Sequence, residues 1–291
     1  MREQTFLPGT WPLEFGHTCL NYFIVLDGRG RESLSTESLA GLAQILCATP
    51  MADNLLVLQD SEEAEVRLRI FGGDGREADF CGNGVAYTSH KVGEEMGKGI
   101  IRLETASGLK TAVRLDNGWK VEIGQARSLN RELSEIPRSR FQGKTIIGLI
   151  RAGEPHLVLD RYPAFGELHV HRRDFEDYCR PLRDITAIQG GVSITMVFES
   201  KEKRMVIRTF ERGARRQTFS CGTGSVSAAA AVFGQPAEGS VFDVCSPGGS
   251  HQVIFESGRW YLVAGPQRIS TGFLENSTIY LPLSGLWPYR P

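Results

Sequence analysis

The chain has 291 residues, of which 41% are hydrophobic and 23% are charged, and its formal net charge is -1 at pH 7. This composition is typical of a globular protein, and the length favours two domains over one. A charge this close to zero does not provide the basic surface that nucleic acids or anionic membranes require. We therefore expect a small-molecule partner, with no nucleic acid and no membrane.

Neither a membrane span nor an export signal is predicted. No window approaches about 18 uninterrupted apolar residues, and Glu3, Glu14 and Asp27 interrupt the start of the chain. The six cysteines are scattered without a C-x-x-C pair, unlike a zinc site or a dense disulfide framework. These features predict a cytoplasmic protein with reduced thiols and no bound metal.

Short runs rich in β-branched and aromatic residues dominate the first half of the chain. The predicted strands are 23–27, 55–59, 66–71, 100–105, 110–115 and 120–124. A helix is predicted over 34–48, and Asn117-Gly118 is typical of a hairpin turn. The segment DFCGNGVAYTSHKVGEEMG (79–97) predicts a helix that begins after Cys81 and closes at Gly97.

The second half follows the same order. Its predicted strands are 156–160, 193–198, 205–210, 240–244, 252–255 and 260–265. The segment FSCGTGSVSAAAAVFG (219–234) predicts a helix after Cys221 that closes at Gly234, and its small residues would let a sheet wrap closely around it. Ser257-Gly258 predicts a second hairpin turn, and a further helix is predicted over 172–181.

The two halves repeat one another at a nearly constant offset. Cys81 and Cys221 lie 140 residues apart, and further matches occur in the same order at offsets from 133 to 141. These matches are Gly108 with Gly248, 116–127 with 256–268, Phe71 with Phe210, and 21–28 with 154–161. Such a series indicates an internal duplication. The predicted fold is α+β, with two pseudo-symmetric domains, each a curved mixed sheet wrapped around a central helix.

A cysteine at a helix start has a defined chemistry. The first N–H groups of a helix lack partners and carry partial positive charge, so they bind carboxylates and lower the pKa of a neighbouring thiol. A helix field of about 2 kcal/mol corresponds to roughly 1.5 pKa units, which would bring a thiol close to neutrality. We therefore expect Cys81 and Cys221 to have lowered pKa values.

A twofold arrangement would bring the two helix starts together across a cleft between the domains. The two thiols would then titrate as a coupled pair, because one thiolate raises the pKa of the other. One sulfur could remove a proton from a carbon while the other returns a proton to the opposite face. This is the chemistry of racemisation, and it requires no electron-sink cofactor when the substrate carboxylate lies between the helix starts.

Several distinctive motifs cover roughly 14–273, namely HTCLNYFIVLD, DGREADFCGNG, GEPH, ERGARRQTFSCGTGS, and PGG followed by AGPQRISTG. Together they resemble the diaminopimelate epimerase family of cofactor-independent two-cysteine isomerases. The resemblance implies that Cys81 and Cys221 are the acid/base pair, supported by His156 and Glu211 respectively. It also implies that the substrate carboxylate is held by backbone N–H groups around the residues Gly82, Asn83, Gly222 and Thr223.

The resemblance also implies a domain organisation. The first half would comprise 1–135 together with a returning strand in 274–291, and the second half would comprise 136–273. A homodimer is compatible with the sequence but is not specified by it. The family's place in lysine and cell-wall biosynthesis makes a true diaminopimelate epimerase one alternative, and a noncatalytic amino-acid-binding relative is another.

The part of the family pattern that binds the distal end of the substrate is altered. Asn21 and Arg212 match the family, but Gly72, Glu154 and Gly191 stand where asparagines are usual. Charge-assisted hydrogen bonds from such amides are each worth about 1.5–3 kcal/mol. The replacements therefore predict a changed distal group on the substrate, and the carboxylate of Glu154 favours a cationic or imidazole side chain.

Overall fold

The structure is a computed structural model that describes residues 9–47, 52–134, 145–161, 171–184, 188–275 and 278–280. The predicted boundary between 135 and 136 lies outside the described residues, as does the segment 281–291. The division into the predicted domains therefore stays a prediction, and the two halves are defined below by their strands.

The described residues form eighteen strands and five α-helices. The first part of the chain contains β1 (Thr10–Thr18), β2 (Asn21–Asp27), α1 (Thr36–Leu46), β3 (Asn54–Gln59), β4 (Val66–Gly72), α2 (Gly82–Met96), β5 (Ile100–Thr105), β6 (Gly108–Leu115), β7 (Gly118–Gly124), β8 (Arg127–Ser128) and α3 (Asn130–Ser134). The second part contains β9 (Ile146–Ala152), β10 (Glu154–Asp160), α4 (Arg172–Cys179), a 3-10 helix (Arg180–Leu182), β11 (Ser193–Lys201), β12 (Arg204–Glu211), β13 (Arg216–Thr218), α5 (Gly222–Phe233), β14 (Ser240–Ser246), β15 (Gly249–Glu256), β16 (Arg259–Ala264), β17 (Pro266–Glu275) and β18 (Thr278–Tyr280).

The strand pairings repeat in the same order and sense in the two halves. In the first half, β1–β2 is antiparallel, β2–β3 parallel, β3–β4 antiparallel and β4–β5 parallel, and β5–β6 and β6–β7 are antiparallel. In the second half β9, β10, β11, β12, β14, β15 and β16 pair in the same succession. This repetition of six pairings supports the duplication inferred from the sequence, and the predicted α+β fold is confirmed.

The halves exchange strands where they meet. After β7, the short β8 pairs with β9, the first strand of the second half, and after β16, β17 pairs with β1, the first strand of the first half. The strands β7 and β16 also pair with each other, antiparallel. The chain thus pairs with the first half from Pro266 onward, earlier than the predicted return at 274. These reciprocal pairings join the halves at three places.

The twelve predicted strands all fall on observed strands, and the predicted helices 34–48 and 172–181 correspond to α1 and α4. Helix α2 ends at Gly97, whose left-handed backbone (φ 65°, ψ 27°) suits glycine. Gly234 follows α5 with the same φ but an extended ψ of -124°. Within the described part of the chain, no helix is long and apolar enough to cross a membrane.

Helices α2 and α5 lie at the centres of the two halves and share one hydrophobic core. That core combines Val85 and Val92 of α2 with Val226 and Ala229 of α5 and the inner faces of both sheets. A separate cluster packs α1 against the first half, and another packs α4 against the second. The shared core fixes the starts of α2 and α5 relative to each other.

Gly118 lies at the junction between the halves, where β7 pairs with β16. It begins β7 with φ +144°, and a β-carbon there would overlap the carbonyl oxygen of Ala264 and lie 2.7 Å from its carbonyl carbon. We expect Gly118→Ala to lower the free energy of unfolding by about 1–3 kcal/mol or more, since both backbone strain and overpacking are introduced. Urea unfolding followed by tryptophan fluorescence measures the change.

The control is Gly41→Ala in α1, where a β-carbon would meet no atom within 4 Å. That change should raise the free energy of unfolding by about 0.5–1 kcal/mol, because alanine is the better helix former. Equal effects of the two substitutions would contradict the close approach of β7 and β16.

Candidate active site

Cys81 and Cys221 occupy the same position in the two halves, one residue before the central helix. Their backbones are nearly identical, with φ -141° and ψ 110° at Cys81 and φ -140° and ψ 114° at Cys221. Each sulfur accepts a hydrogen bond from the third helical N–H, that of Gly84 or Gly224, at 3.4 Å. Each cysteine is therefore the N-cap of its helix, as the sequence predicts.

Glycines let the two helix starts approach one side chain from the shared core. A β-carbon on Gly82 would lie 2.9 Å from Leu262 Cδ2, and one on Gly222 would lie 2.5 Å from the same atom. A β-carbon on Gly222 would also lie 3.3 Å from the backbone nitrogen of Asn83. The first turns of α2 and α5 thus meet across Leu262, and a larger residue at either glycine would require the Leu262 side chain to shift.

Both thiols face one cleft with a volume of about 610 Å³. Its lining comprises Asn21, Asn54, Gly72, Asp74, Arg76, Glu77, Ala78, Asp79, Phe80, Cys81, Glu154, Gln189, Gly190, Ser193, Glu211, Arg212, Gly213, Cys221, Gly222 and Thr223. Eight of the eleven predicted site residues are among them. The other three, Gly82, Asn83 and His156, are buried behind this surface.

The surroundings of Cys221 include a carboxylate and a hydrogen-bonded relay. Glu211 lies beside the thiol and accepts a hydrogen bond from the Thr218 hydroxyl at 2.6 Å. On the other side, Cys221 Sγ lies 3.4 Å from Thr223 Oγ1, which lies 2.9 Å from Nε2 of His156. This places Glu211 with Cys221, as the resemblance implies.

His156 is fully buried, and its described contacts lead toward Cys221. Its Nδ1 lies 2.9 Å from Thr195 Oγ1, and its Nε2 reaches Thr223. Burial, with a smaller effect from the charge of Arg212, lowers the pKa of His156 to about 3, so the imidazole is neutral. Its implied support of Cys81 stays a prediction, since these hydrogen bonds connect it to the other thiol.

The hydrogen-bond network beside Cys81 is built from amides and hydroxyls. Cys81 Sγ lies 4.0 Å from Asn21 Oδ1, which also accepts a hydrogen bond from Asn83 Nδ2 at 3.3 Å. The same Asn83 nitrogen donates to Ser220 Oγ at 3.1 Å, and Ser220 donates to the carbonyl of Thr18 at 3.3 Å. Because Ser220 directly precedes Cys221, this buried network links the positions of the two thiols.

The expectation of lowered thiol pKa values is wrong for this structure. Burial, with added repulsion from Glu211 and Glu154, raises the pKa of Cys81 to about 12, although the N–H groups of Gly84 and Asn83 act in the opposite direction. Burial and Glu211 also raise the pKa of Cys221 well above its ordinary value. The helix starts provide a favourable field, but removing both sulfurs from water outweighs it. Both cysteines are protonated thiols at neutral pH.

Unlike the two thiols, Glu211 has a pKa close to neutral pH. Burial raises its pKa to about 7, against the hydrogen bonds from Thr218 and Cys221 that lower it. The nearby charge of Asp53 also raises it. Glu211 is therefore a carboxyl group that titrates near neutral pH beside the Cys221 thiol.

Glu154 and Arg212 form an ion pair on the wall of the cleft. Arg212 Nη2 donates to Glu154 Oε2, while Glu154 Oε1 accepts the backbone N–H of Asp79 at 3.1 Å. Arg212 Nη1 also donates to the carbonyl of Gly191 at 3.1 Å. Glu154 is 8% exposed, so its charge is largely satisfied within the protein. The ion pair removes the free negative charge on which a cationic distal group was expected.

An ion pair that the sequence does not reveal connects the halves beside Asn21. Arg216 Nη2 donates to Asp53 Oδ1 at 2.7 Å, and Asp53 Oδ2 accepts from Asn21 Nδ2 and from the backbone N–H of Tyr22, each at 2.9 Å. These bonds orient the Asn21 amide so that its oxygen faces Cys81. The available signal was the position of Asp53 two residues before the predicted strand 55–59, whose N-terminal end lies at the cleft.

The fold of this chain is shared with solved racemase and epimerase structures. The crystal structure of a hydroxyproline epimerase from Agrobacterium vitis is similar to this chain with a TM-score of 0.67, covering 92% of each chain. The sequence identity is 16%, so this similarity concerns the fold.

Sequence comparison gives the family. The diaminopimelate epimerase family model matches residues 16–129. The diaminopimelate epimerase of Archaeoglobus fulgidus is 32% identical over 239 residues, covering 77% of this chain and 81% of the relative. That of Chlamydia muridarum is 30% identical over 262 residues, covering 82% and 89% respectively. The chain belongs to the diaminopimelate epimerase family, which confirms the resemblance noted in its motifs.

Proposed function

We propose that this protein is an isomerase that inverts the α-carbon of an amino acid without a cofactor, using two cysteines as the acid/base pair. The observation that carries the proposal is the position of Cys81 and Cys221, matching N-caps of two helices that face one cleft. Family membership supports the reaction class, since the relatives are named epimerases.

The substrate carboxylate would bind between the two helix starts. The first N–H groups of an α-helix lack intrahelical partners, and here those of Gly82, Asn83, Gly222 and Thr223 belong to the two first turns that meet across Leu262. Loss of the α-proton moves negative charge into the bound carboxylate. The N–H groups and helix dipoles stabilise that charge more strongly than the ground state, which lowers the barrier.

Proton transfer begins with formation of one thiolate. Ionised Glu211, whose pKa is about 7, would accept the proton of Cys221 in an uphill step, because the pKa of that thiol is raised well above its ordinary value. The Cys221 thiolate then takes the α-proton, and the Cys81 thiol donates its proton to the opposite face of the carbanion. One C–H bond breaks and one forms, so the substrate keeps its composition while the two sulfurs exchange protonation states. The reverse direction uses the same groups in the opposite order.

His156 would be a positioning residue in this scheme. Its neutral ring bridges Thr195 and Thr223, and the Thr223 hydroxyl lies within reach of the Cys221 sulfur. The relay holds that hydroxyl in a fixed direction and can stabilise the thiolate when it forms. A neutral imidazole suits this role because it adds no charge to the buried site.

A true diaminopimelate epimerase of lysine and cell-wall biosynthesis is the second candidate, and the names of the relatives favour it. The proposed substrate class is broader than diaminopimelate because Gly72, Glu154 and Gly191 stand where the family usually has asparagines. We further propose a cytoplasmic location, which agrees with six free thiols. A homodimer, and the lack of nucleic-acid or membrane partners, stay predictions.

Exchange of the α-hydrogen with solvent deuterium tests the proposed function. We expect the purified, reduced protein to exchange and invert the α-carbon of at least one member of an amino-acid panel in D2O, measured by proton NMR and chiral chromatography. Binding without exchange would contradict an isomerase and favour a noncatalytic amino-acid-binding relative. A strong preference for LL-diaminopimelate would identify the substrate as the one for which the relatives are named.

A further inference from the structure

Arg76 lies in the cleft as a guanidinium that the mechanism above does not use. It is exposed and lines the same cleft as the two thiols. Among the described residues, its recorded hydrogen bonds are those of its backbone: its N–H donates to Asp74 Oδ1 at 3.1 Å, and its carbonyl accepts the N–H of Gly72 at 3.0 Å. The side chain therefore presents its charge to the cleft.

The internal duplication shows what an arginine at this position does in the other half. Arg76 lies five residues before Cys81, and Arg216 lies five residues before Cys221. Arg216 reaches across to the first half, where its guanidinium binds Asp53, the residue immediately before β3. Arg216 thus uses its position to bind a carboxylate of the other half.

Arg76 reaches across in the same way but meets no carboxylate there. The equivalent of β3 in the second half is β11, and the residue before it is Val192, preceded by Gly190 and Gly191. A β-carbon on Gly190 would lie 3.3 Å from Arg76 Nη1. Arg216 binds an aspartate at this place, whereas Arg76 lies beside a pair of glycines. The space that a carboxylate would occupy there is open to the cleft.

A second guanidinium lies close to the same point. The same β-carbon on Gly190 would lie 3.5 Å from Arg212 Nη1. The two nitrogens are therefore near enough for one carboxylate, with hydrogen bonds of about 2.8 Å, to reach both. Arg212 is already neutralised by Glu154, so the uncompensated positive charge at this point comes from Arg76.

Two of the three carboxylates nearest to Arg76 in the chain accept hydrogen bonds from other groups. Glu77 receives two hydrogen bonds from Arg69, at 2.8 and 2.7 Å. Asp74 accepts the backbone N–H of Arg76 rather than its guanidinium. Asp79 also lines the cleft, and its backbone N–H binds Glu154. Among the described residues, no hydrogen bond or ion pair joins any of these three carboxylates to the Arg76 guanidinium, which can therefore bind an anionic ligand group.

We propose that Arg76 determines specificity by binding a negatively charged group at the distal end of the substrate. The substrate class is then an α-amino acid whose side chain ends in an anion, with its α-carbon between the two thiols and its terminus beside Arg76 and Gly190. This inference rests on the proposed function for the position of the α-carbon. It differs from the sequence-based expectation, in which Glu154 attracts a cation.

Pairs of substrates with the same shape and different charge provide the test. Glutamate and aspartate are compared with their amides, glutamine and asparagine. The longer anionic substrates 2-aminoadipate and diaminopimelate are compared with lysine and ornithine. We expect kcat/KM for α-hydrogen exchange to be about 10- to 100-fold higher for a carboxylate than for its amide. Arg76→Ala should remove this preference mainly by raising KM, because the contact is made equally in ground and transition states.

Two further variants sharpen the result. Arg76→Glu should favour lysine or ornithine over the anionic substrates, since the charge at the distal end is reversed. Arg67→Ala is the control: Arg67 belongs to the same half but pairs with Glu104 and does not line the cleft, so this variant should keep the wild-type preference. An unchanged carboxylate preference in Arg76→Ala would overturn the proposal.

Failure of this inference differs from failure of the proposed function. If exchange occurs and amides react as well as carboxylates, Arg76 has no role in specificity while the isomerase proposal stands. If no amino acid exchanges, the proposed function fails, and titration calorimetry with the same pairs then decides whether Arg76 binds anions. Equal affinity of the wild type and Arg76→Ala for carboxylates would exclude that role as well.

Discussion

Replacing either Cys81 or Cys221 with alanine is expected to abolish inversion of the α-carbon, with a loss of about 100- to 10,000-fold in kcat for each. One thiol removes the proton and the other returns it, so neither can substitute for its partner across the substrate. Binding should be affected less, because the backbone N–H groups at the helix starts stay in place. Inversion is measured by chiral chromatography and substrate affinity by titration calorimetry.

Isotope exchange distinguishes a lost acid from a damaged fold. A variant with one thiol can still remove and return a proton on one face of the α-carbon. One enantiomer should therefore still exchange its α-hydrogen with solvent although inversion is lost. Cys245→Ala is the control, since that half-buried thiol accepts a hydrogen bond from Ser250 and does not line the cleft. Full inversion by either Cys81→Ala or Cys221→Ala would contradict the two-base mechanism.

The central features of the fold could be predicted because they depend on local patterns. Alternating apolar residues gave twelve strands, and the repeated Cys-Gly-x-Gly sequence located both helix starts and the internal duplication. Six observed strands fall outside the twelve predicted ones, among them β1 and β9. The first contains Pro12 and Gly16 and the second Gly148, residues that weaken a strand pattern. Strand β1 is also stabilised by pairing with the distant β17, whereas β9 pairs with its chain neighbours β8 and β10.

The electrostatic state of the site could not be predicted in the same way. The helix field on a capping thiol is a local effect and can be inferred from the sequence. Burial, which raises the pKa of Cys81 to about 12, depends on how the two halves of the chain pack around this residue. The ion pairs of Glu154 with Arg212 and of Asp53 with Arg216 join residues 58 and 163 positions apart, and no local pattern marks such partners.

The raised pKa of Glu211 predicts a pH dependence of activity. If ionised Glu211 accepts the proton of Cys221, kcat/KM should rise with pH through the Glu211 pKa of about 7. Glu211→Gln keeps the size of the side chain and cannot accept that proton, so it should lose this ascending limb and about 100-fold or more in rate. The pH profiles of both proteins on one substrate measure the effect.

The same residue should change stability in a defined pH window. The pKa of Glu211 is raised from its ordinary value of 4.5 to about 7 in the folded protein, so between these values the folded state binds more protons than the unfolded state. Stability therefore falls as pH rises through this window. Glutamine lacks this penalty, so the free energy of unfolding of Glu211→Gln should increase relative to the wild type between pH 5 and pH 8.

Urea unfolding at a series of pH values separates this effect from general damage. Glu104→Gln is the control, because Glu104 accepts a hydrogen bond from Ser61 away from the cleft and should keep the ascending limb of activity. A stability difference between Glu211→Gln and the wild type that does not change with pH would mean that Glu211 is not held partly protonated. In that case the thiolate of Cys221 would have to form by direct proton loss to the substrate or to water, against the burial that raises its pKa.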